Sequence, residues 1–251
     1  MIDFHTHILP NIDDGAVDVE AAAKMFEKEK ENGVSTVLLT SHYYAKKRSP
    51  DGFLAKRAEC FERVKPYIPE GIDVRLAAEV HFKGHTGASF DGVCKLAIEG
   101  TRYVLIELPF MNKWSGRLWQ KLLDFIRETD YIPVLAHVER YSEIKRNPKI
   151  LAYLLEIGCL FQVSTSAFLE KETASLAFAM LKKGYVHCLG TDSHNLDDRA
   201  CDYAEAKRVI EGKGLGEAFE RAQRIMQDIL ANERLNFGKL PTIKKFFRRY
   251  F

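Results

Sequence analysis

The chain has 251 residues, 46% hydrophobic and 29% charged, which supplies a sizeable core and excludes a disordered chain. Its 37 basic and 35 acidic residues leave a formal charge of +2, so no whole-molecule field argues for nucleic-acid or membrane binding, and any anion preference has to be local. Five scattered cysteines (Cys60, Cys94, Cys159, Cys188, Cys201) without a Cys-x-x-Cys pair exclude a disulfide framework or zinc ribbon; with no signal segment and no long apolar run, a cytoplasmic protein without a transmembrane segment is expected.

Short β-branched or apolar runs alternate with segments of helical period, the pattern of repeated β-α units around a parallel sheet. The runs fall at 2–4, 36–40, 73–77, 103–106, 132–136, 160–163 and 186–189, and helices are predicted at about 18–32, 54–68, 117–129, 148–157 and 168–183. Gly33, Gly158 and Gly184 each follow a helix where a left-handed cap is expected. Residues 80–100 read as a long loop with a short helix, and the chain reads as helical from about 199 onward, with no linker or repeat dividing it. Residues 1–251 are thus expected to form one domain, an α/β distorted (β/α)7 barrel related to the eight-stranded barrel, whose chemistry sits at the C-terminal ends of its strands.

Metal-ligand residue types fall at those ends. His5 and His7 follow the first run with Asp13 and Asp14 beyond; Ser41-His42 follows the second, Glu79 the third, Glu107 the fourth, His137 the fifth, and Asp192 and His194 the seventh. Only the sixth lacks one. A lone His-x-His is more often incidental than a site, but residues i and i+2 of an extended segment point the same way and can grip one ion. Asp14, Glu79, Glu107 and Asp192 gathered at one mouth would repel each other without a cation. Nine donors suit two or three ions, with Glu79 able to bridge. Three divalent ions against four carboxylates leave a positive site that favours a phosphate dianion over a neutral amide. Arg140 and Arg199, near the predicted rim, can each fork onto phosphate oxygens, Arg140 being the better placed.

These blocks resemble the polymerase-and-histidinol-phosphatase superfamily, specifically its bacterial capsule and exopolysaccharide tyrosine-protein phosphatases of the CpsB/YwqE type. The likeness spans most of the chain and rests on Asp3-Phe4-His5-Thr6-His7-Ile8-Leu9-Pro10, Asp13-Asp14-Gly15, Thr40-Ser41-His42, Ala78-Glu79-Val80, Ile106-Glu107, Ala136-His137-Val138-Glu139-Arg140-Tyr141 and Thr191-Asp192-Ser193-His194-Asn195-Leu196. The resemblance implies one metal on His5, His7, Glu79 and Asp192, a second on Glu79, Glu107 and His137, and a third on Asp14, His42 and His194. It also implies Mn2+ as the activating ion, with iron and zinc as alternatives. Arg140, assisted by Arg199, would hold phosphate, and the substrate would be phosphotyrosine on a bacterial autophosphorylating tyrosine kinase of polysaccharide synthesis. Ala78-Glu79-Val80-His81-Phe82 departs from the family's site-flanking segment, and the tail 244–251 looks like an extension.

A cysteine mechanism is excluded, because the residues six places after the cysteines are Pro66, Gly100, Thr165, His194 and Lys207, so no Cys-x5-Arg loop exists. His81 and His85 read as solvated loop residues or substrate contacts, and His187 as structural. Tyr43, Tyr44, Phe110 and Trp114 are candidates for an aromatic rim, Trp119 for packing, and the basic aromatic tail for a capping helix end. The rival functions are a histidinol-phosphate phosphatase with a deeper pocket, a metal-dependent amidohydrolase, and a non-catalytic metal-binding scaffold.

Overall fold

The structure, a computed structural model, describes residues 1–83, 88–111, 113–246 and 249–251. Its elements in chain order are β1 (Ile2–Thr6), α1 (Val19–Glu31), β2 (Thr36–Leu39), β3 (His42–Tyr43), α2 (Pro50–Val64), β4 (Asp73–Leu76), β5 (Glu79–His81), α3 (Phe90–Cys94), β6 (Tyr103–Glu107) and α4 (Gly116–Glu128). There follow β7 (Ile132–Leu135), α5 (Ser142–Arg146), α6 (Ile150–Glu156), β8 (Leu160–Ser164), α7 (Ala174–Lys183), β9 (Cys188–Gly190), α8 (Tyr203–Gly212), α9 (Gly216–Leu230), β10 (Lys245–Phe246) and β11 (Arg249–Tyr250).

Helix starts follow local chemistry. Asp18, Ser49 and Ser115 accept backbone N–H bonds at the first turns of α1, α2 and α4, and Pro50 opens α2 where its missing N–H costs nothing. Helix α4 buries Leu118, Leu122 and Phe125, a stripe at spacings of four and three. Gly33, Gly158 and Gly184 all have positive φ, as expected of left-handed caps.

Strands β1 to β9 pair in the orders β1-β2-β4 and β3-β5-β6-β7-β8-β9, with every pairing among them parallel. The two groups are continuous in the chain: β2 runs into β3 across Thr40-Ser41, and β4 into β5 across Ala77-Ala78. The second and third predicted strands, 36–40 and 73–77, are thus β2 and β4, and each is followed after a bend by a short strand that was not predicted; at the bend Glu79 N–H turns to the carbonyls of Thr40 and Ser41 at 2.8 and 3.1 Å. The sheet curls back on itself, since Asp192 N–H donates to the His5 carbonyl at 2.8 Å and His7 N–H to the Ser193 carbonyl at 2.9 Å. Gly190 is required at this seam: a Cβ there would stand 2.6 Å from His5 Cβ. Phe4, Leu38, Val104, Val134, Phe161 and Leu189, from β1, β2, β6, β7, β8 and β9, are fully buried.

Three sequence expectations change. The predicted helix 54–68 begins earlier, at the Ser49-Pro50 cap, and gives way to a 3-10 turn after Val64. The predicted helix 168–183 begins only at Ala174, after a 3-10 turn over Thr165–Phe168. The chain stops being helical after Leu230, with Asn232 at a positive φ of 60° just past the end of α9, and the tail pairs as antiparallel β10 and β11 rather than capping a helix. Lys244 and Phe251 exchange backbone bonds at 2.8 and 3.0 Å, and Tyr250 Oη donates to the Lys145 carbonyl at 2.7 Å.

Candidate metal centre

All nine predicted ligand residues converge at the mouth formed by the C-terminal ends of the strands. His5 lies in β1 and His7 just beyond its end, Glu79 opens β5, and the turn after β9 contributes Asp192. His5 Nε2 lies 3.1 Å from His7 Nε2, 3.2 Å from Glu79 Oε2 and 3.5 Å from Asp192 Oδ1; His7 Nε2 lies 3.4 Å from each of those oxygens. Four donors set tetrahedrally around an ion at about 2.0–2.1 Å stand about 3.3–3.4 Å apart. The cage has the dimensions of a metal site.

Two further groups adjoin it, His7 with Asp14, His42 and His194, and His42 with Glu79 and Glu107. Glu79 links the first cage to the last of these groups, with Oε2 at 2.8 Å from His42 Nδ1 and Oε1 at 2.7 Å from His137 Nε2, while His7 links the first cage to the other. Asp14 sits at the exposed edge, 3.5 Å from His42 Nε2 and 3.7 Å from His194 Nε2. Among the described residues, Glu79 Oε2, His42 Nδ1 and His194 Nε2 are buried and make no hydrogen bond of proper geometry, Glu79 Oε2 and His42 Nδ1 being close but misaligned. Buried polar atoms are rarely left so. Donor atoms aimed together and otherwise unsatisfied fit bound cations.

The electrostatics agree. Burial would lift the Glu79 carboxyl, yet His5 and His137 hold it well below the carboxylate range. Asp192 is held down against its own burial by His5 and His7. Burial opposes charge on His7, but Asp13, then Asp192 and Glu79, raise it well above the ordinary imidazole. Burial and the nearby His7, whose ring stacks at 3.9 Å, push His194 down to about 3. A cage of ionised carboxylates that raises its own imidazoles is short of positive charge.

Both predicted arginines reach the outer side of the cage. Arg140 Nη1 lies 2.7 Å and Arg199 Nη2 2.9 Å from Asp192 Oδ2, the oxygen facing away from His5 and His7, and both guanidiniums remain partly open to solvent. Two donor forks thus converge beside the cage, an arrangement suited to an anion with several oxygens.

The sequence reading missed the groups that orient the ligands. Asp13 Oδ2 accepts from His7 Nδ1 and from His42 N–H, both at 2.8 Å, which leaves His7 Nε2 facing the cage. Gly15 permits this loop, because a Cβ there would lie 1.9 Å from the His7 carbonyl oxygen. Strand β8, which carries no acid or histidine at its end, supplies Gln162, whose Oε1 accepts from His5 Nδ1 at 3.1 Å and His137 N–H at 2.6 Å. The only signal was one amide inside an apolar strand. His81 is no solvated loop residue: it lies in β5 and bonds the Glu107 carboxylate through Nδ1. His85 lies outside the described residues. His137 and Asp192 both have left-handed backbone, with φ of +32° and +55°, a state uncommon outside glycine that concentrates at functional sites.

The aromatic rim narrows. Tyr43 is buried against Phe53, and Trp114 packs between Trp119 and Tyr141. Tyr44, with its ring 5.3 Å from those of His42 and His81, and Phe110, 4.9 Å from His137 and 5.6 Å beneath the Arg140 guanidinium, are left flanking the mouth.

Known proteins are similar to this chain over most of its length. The model of the CpsB/CapC family, described as capsular polysaccharide synthesis, matches residues 1–230. Tyrosine-protein phosphatase YwqE of Bacillus subtilis (strain 168) is 30% identical over 218 residues, 84% of each chain. Tyrosine-protein phosphatase CpsB of Streptococcus pneumoniae is 28% identical over 230 residues, 85% of this chain and 90% of that one. Among solved structures, a chain from the work on YwqE of Bacillus subtilis and CpsB of Streptococcus pneumoniae, described as metal-dependent tyrosine phosphatases, superposes with a TM-score of 0.82 at 25% identity, covering 98% of this chain and 100% of that one.

Proposed function

Because the chain belongs to the CpsB/CapC capsular polysaccharide synthesis family, we propose that it is a metal-dependent protein-tyrosine phosphatase. Its substrate on this reading is phosphotyrosine on a bacterial tyrosine autokinase of capsule or exopolysaccharide synthesis, and it works in the cytoplasm. The observation that carries the proposal is the tetrahedral spacing of His5, His7, Glu79 and Asp192 with two arginines on the outer oxygen of Asp192. We read residues 1–251 as one unit and the curled sheet as a distorted (β/α)7 barrel, a reading supported by the bonds from the turn after β9 back to β1.

His5, His7, Glu79 and Asp192 would hold one ion, and Glu107, His137, Asp14, His42 and His194 one or two more, with Mn2+ the ion we favour. Ions so bound supply Lewis acidity and lower the pKa of water. The chain's own residues do the rest. Asp13 and Gln162 fix the ring faces of His7 and His5, so that each presents Nε2. Arg140 and Arg199 would leave Asp192 Oδ2 for the phosphoryl oxygens and neutralise charge developing there. Phe110 offers a ring face beside Arg140 on which the tyrosine ring can lie. Phenolate, with a conjugate-acid pKa of about 10, departs more readily than an alkoxide and needs little acid assistance.

The test is parallel turnover of a phosphotyrosine peptide and histidinol phosphate with added Mn2+. The proposal expects the peptide to be the better substrate; faster turnover of histidinol phosphate would reassign the activity within the superfamily.

A further inference from the structure

Away from the metal centre, a groove of about 910 Å³ opens between the end of α7, the turn joining α8 to α9, and the tail. Gly184, which leads toward the start of β9, lines it, whereas the metal ligand Asp192 follows the end of β9. The groove and the centre therefore lie at opposite ends of the same strand.

Its floor is apolar, built from Phe178, Ile225, Phe237 and Leu240. Its rim carries Lys182, Lys183, Lys213 and Arg221, and no aspartate or glutamate is among its described lining residues. Among the described residues, none of the three lysines has a carboxylate within ion-pair distance, and the recorded Arg221 bond is to the Leu181 carbonyl at 3.1 Å. Four cations gathered here in a chain of net charge +2 are a local excess, not a reflection of composition. Like charges so placed repel one another and are relieved by an anionic partner.

Shape decides which partner. A bilayer is engaged by apolar side chains that project from a surface. Here Ile225 and Ala179 are buried and Phe178, Leu215, Phe237, Leu240 and Tyr250 half-buried, and of the large apolar residues lining the groove Phe251 alone is exposed. A recess is filled by side chains that project from the partner, as when an amphipathic segment lays its apolar face into a groove. We infer that this groove docks a polypeptide segment of a partner protein in which apolar anchors are flanked by aspartate or glutamate. The anchors fill the space over Phe237 and Leu240, and the acids meet the lysine rim, which steers encounter and fixes register. One wall is built by residues after 230, so the specificity of the groove depends on the tail. The inference does not rest on the reading of the metal centre.

The test uses the full chain and a fluorescent peptide of alternating leucine and glutamate. One control peptide carries serine for leucine and another lysine for glutamate. Anisotropy should report binding of the first peptide alone, weakened by added salt. It should fall about tenfold or more in a Lys182→Glu, Lys213→Glu variant and in Leu240→Asp. Hydrolysis of p-nitrophenyl phosphate, a readout of the distant site, should be unchanged in both variants and shows that they are folded. Equal binding of the serine peptide, or binding indifferent to the variants, would overturn the inference. So would capture by phosphatidylglycerol vesicles without peptide binding, which would make the face a lipid contact, or self-association that the variants abolish in its place.

Discussion

Replacing Gln162 with leucine probes how the ligands are held without touching one of them. The fully buried Oε1 accepts two bonds, from His5 Nδ1 at 3.1 Å and from His137 N–H at 2.6 Å. Leucine fills similar space and accepts neither. If nothing moves, each orphaned donor costs about 1–3 kcal/mol. His5 has an escape, which is to shift its proton to Nε2, but that nitrogen faces His7, Glu79 and Asp192 and is needed as a bare donor to an ion. The penalty therefore appears mainly in metal binding, where losing such an orienting partner typically weakens affinity 10- to 100-fold, about 1.4–2.7 kcal/mol. Titration calorimetry of Mn2+ into the metal-free protein measures this, with phosphatase rates followed against metal concentration. The expected result is weaker binding, activity largely recovered at high metal, and near wild-type behaviour in Gln162→Glu, which keeps the acceptor. Metal affinity within about threefold of wild type in Gln162→Leu would refute the assigned role.

Other consequences can be checked separately. Arg140→Ala should lower kcat/KM for a phosphotyrosine peptide about 10²–10³-fold, the usual cost of removing a donor to developing oxyanion charge, and Arg199→Ala should cost less. Phe110→Ala should raise KM for aryl phosphates about 2- to 13-fold, from a ring contact worth about 0.5–1.5 kcal/mol, and leave alkyl phosphates unaffected. Burial, and then Arg221, push His187 down to about 3, while its Nδ1 accepts from Phe161 N–H at 3.0 Å and so has no room for a second proton. Its folded pKa lies below its unfolded value of about 6.5, so acid protonates the unfolded chain first and stability falls as pH drops between those values; from pH 7 to 5 the loss is about 2 kcal/mol. Urea unfolding at the two pH values should show that slope in the wild type and a flatter one in His187→Gln; identical slopes would exclude His187 as its source.

How much of this was legible in the sequence depended on the chemistry of each residue. His5, His7, Glu79, Glu107, His137, Asp192 and His194 could be found because histidines and acids at the ends of apolar runs have few other uses there. Gln162 could not, since a neutral amide advertises neither charge nor metal affinity and its role exists only once β8 is beside β1 and β7. Asp13 was seen beside Asp14, but which of the two would turn inward onto His7 depends on the loop that Gly15 allows. The predicted strands ended at Thr40 and Ala77, where the chain bends, but the short strands β3 and β5 beyond were not read, because two or three residues carry no period and these are held by pairing with neighbours distant in sequence. His81 was misread because its partner Glu107 is 26 residues away on the neighbouring strand. The tail shows the opposite error, where a basic aromatic stretch read as a helix end is a strand pair, α9 having already ended at Leu230 with left-handed Asn232 just beyond it.

The central claim, that His5 and His7 anchor a metal centre that hydrolyses phosphotyrosine, is tested most directly by the double substitution His5→Ala, His7→Ala. Protein purified without chelator would be analysed for bound metal by mass spectrometry and assayed on a phosphotyrosine peptide with added Mn2+. The account predicts metal bound by the wild type and lost from the cage in the double variant, with turnover lost alongside it. Phosphotyrosine hydrolysis retained by the double variant would contradict it.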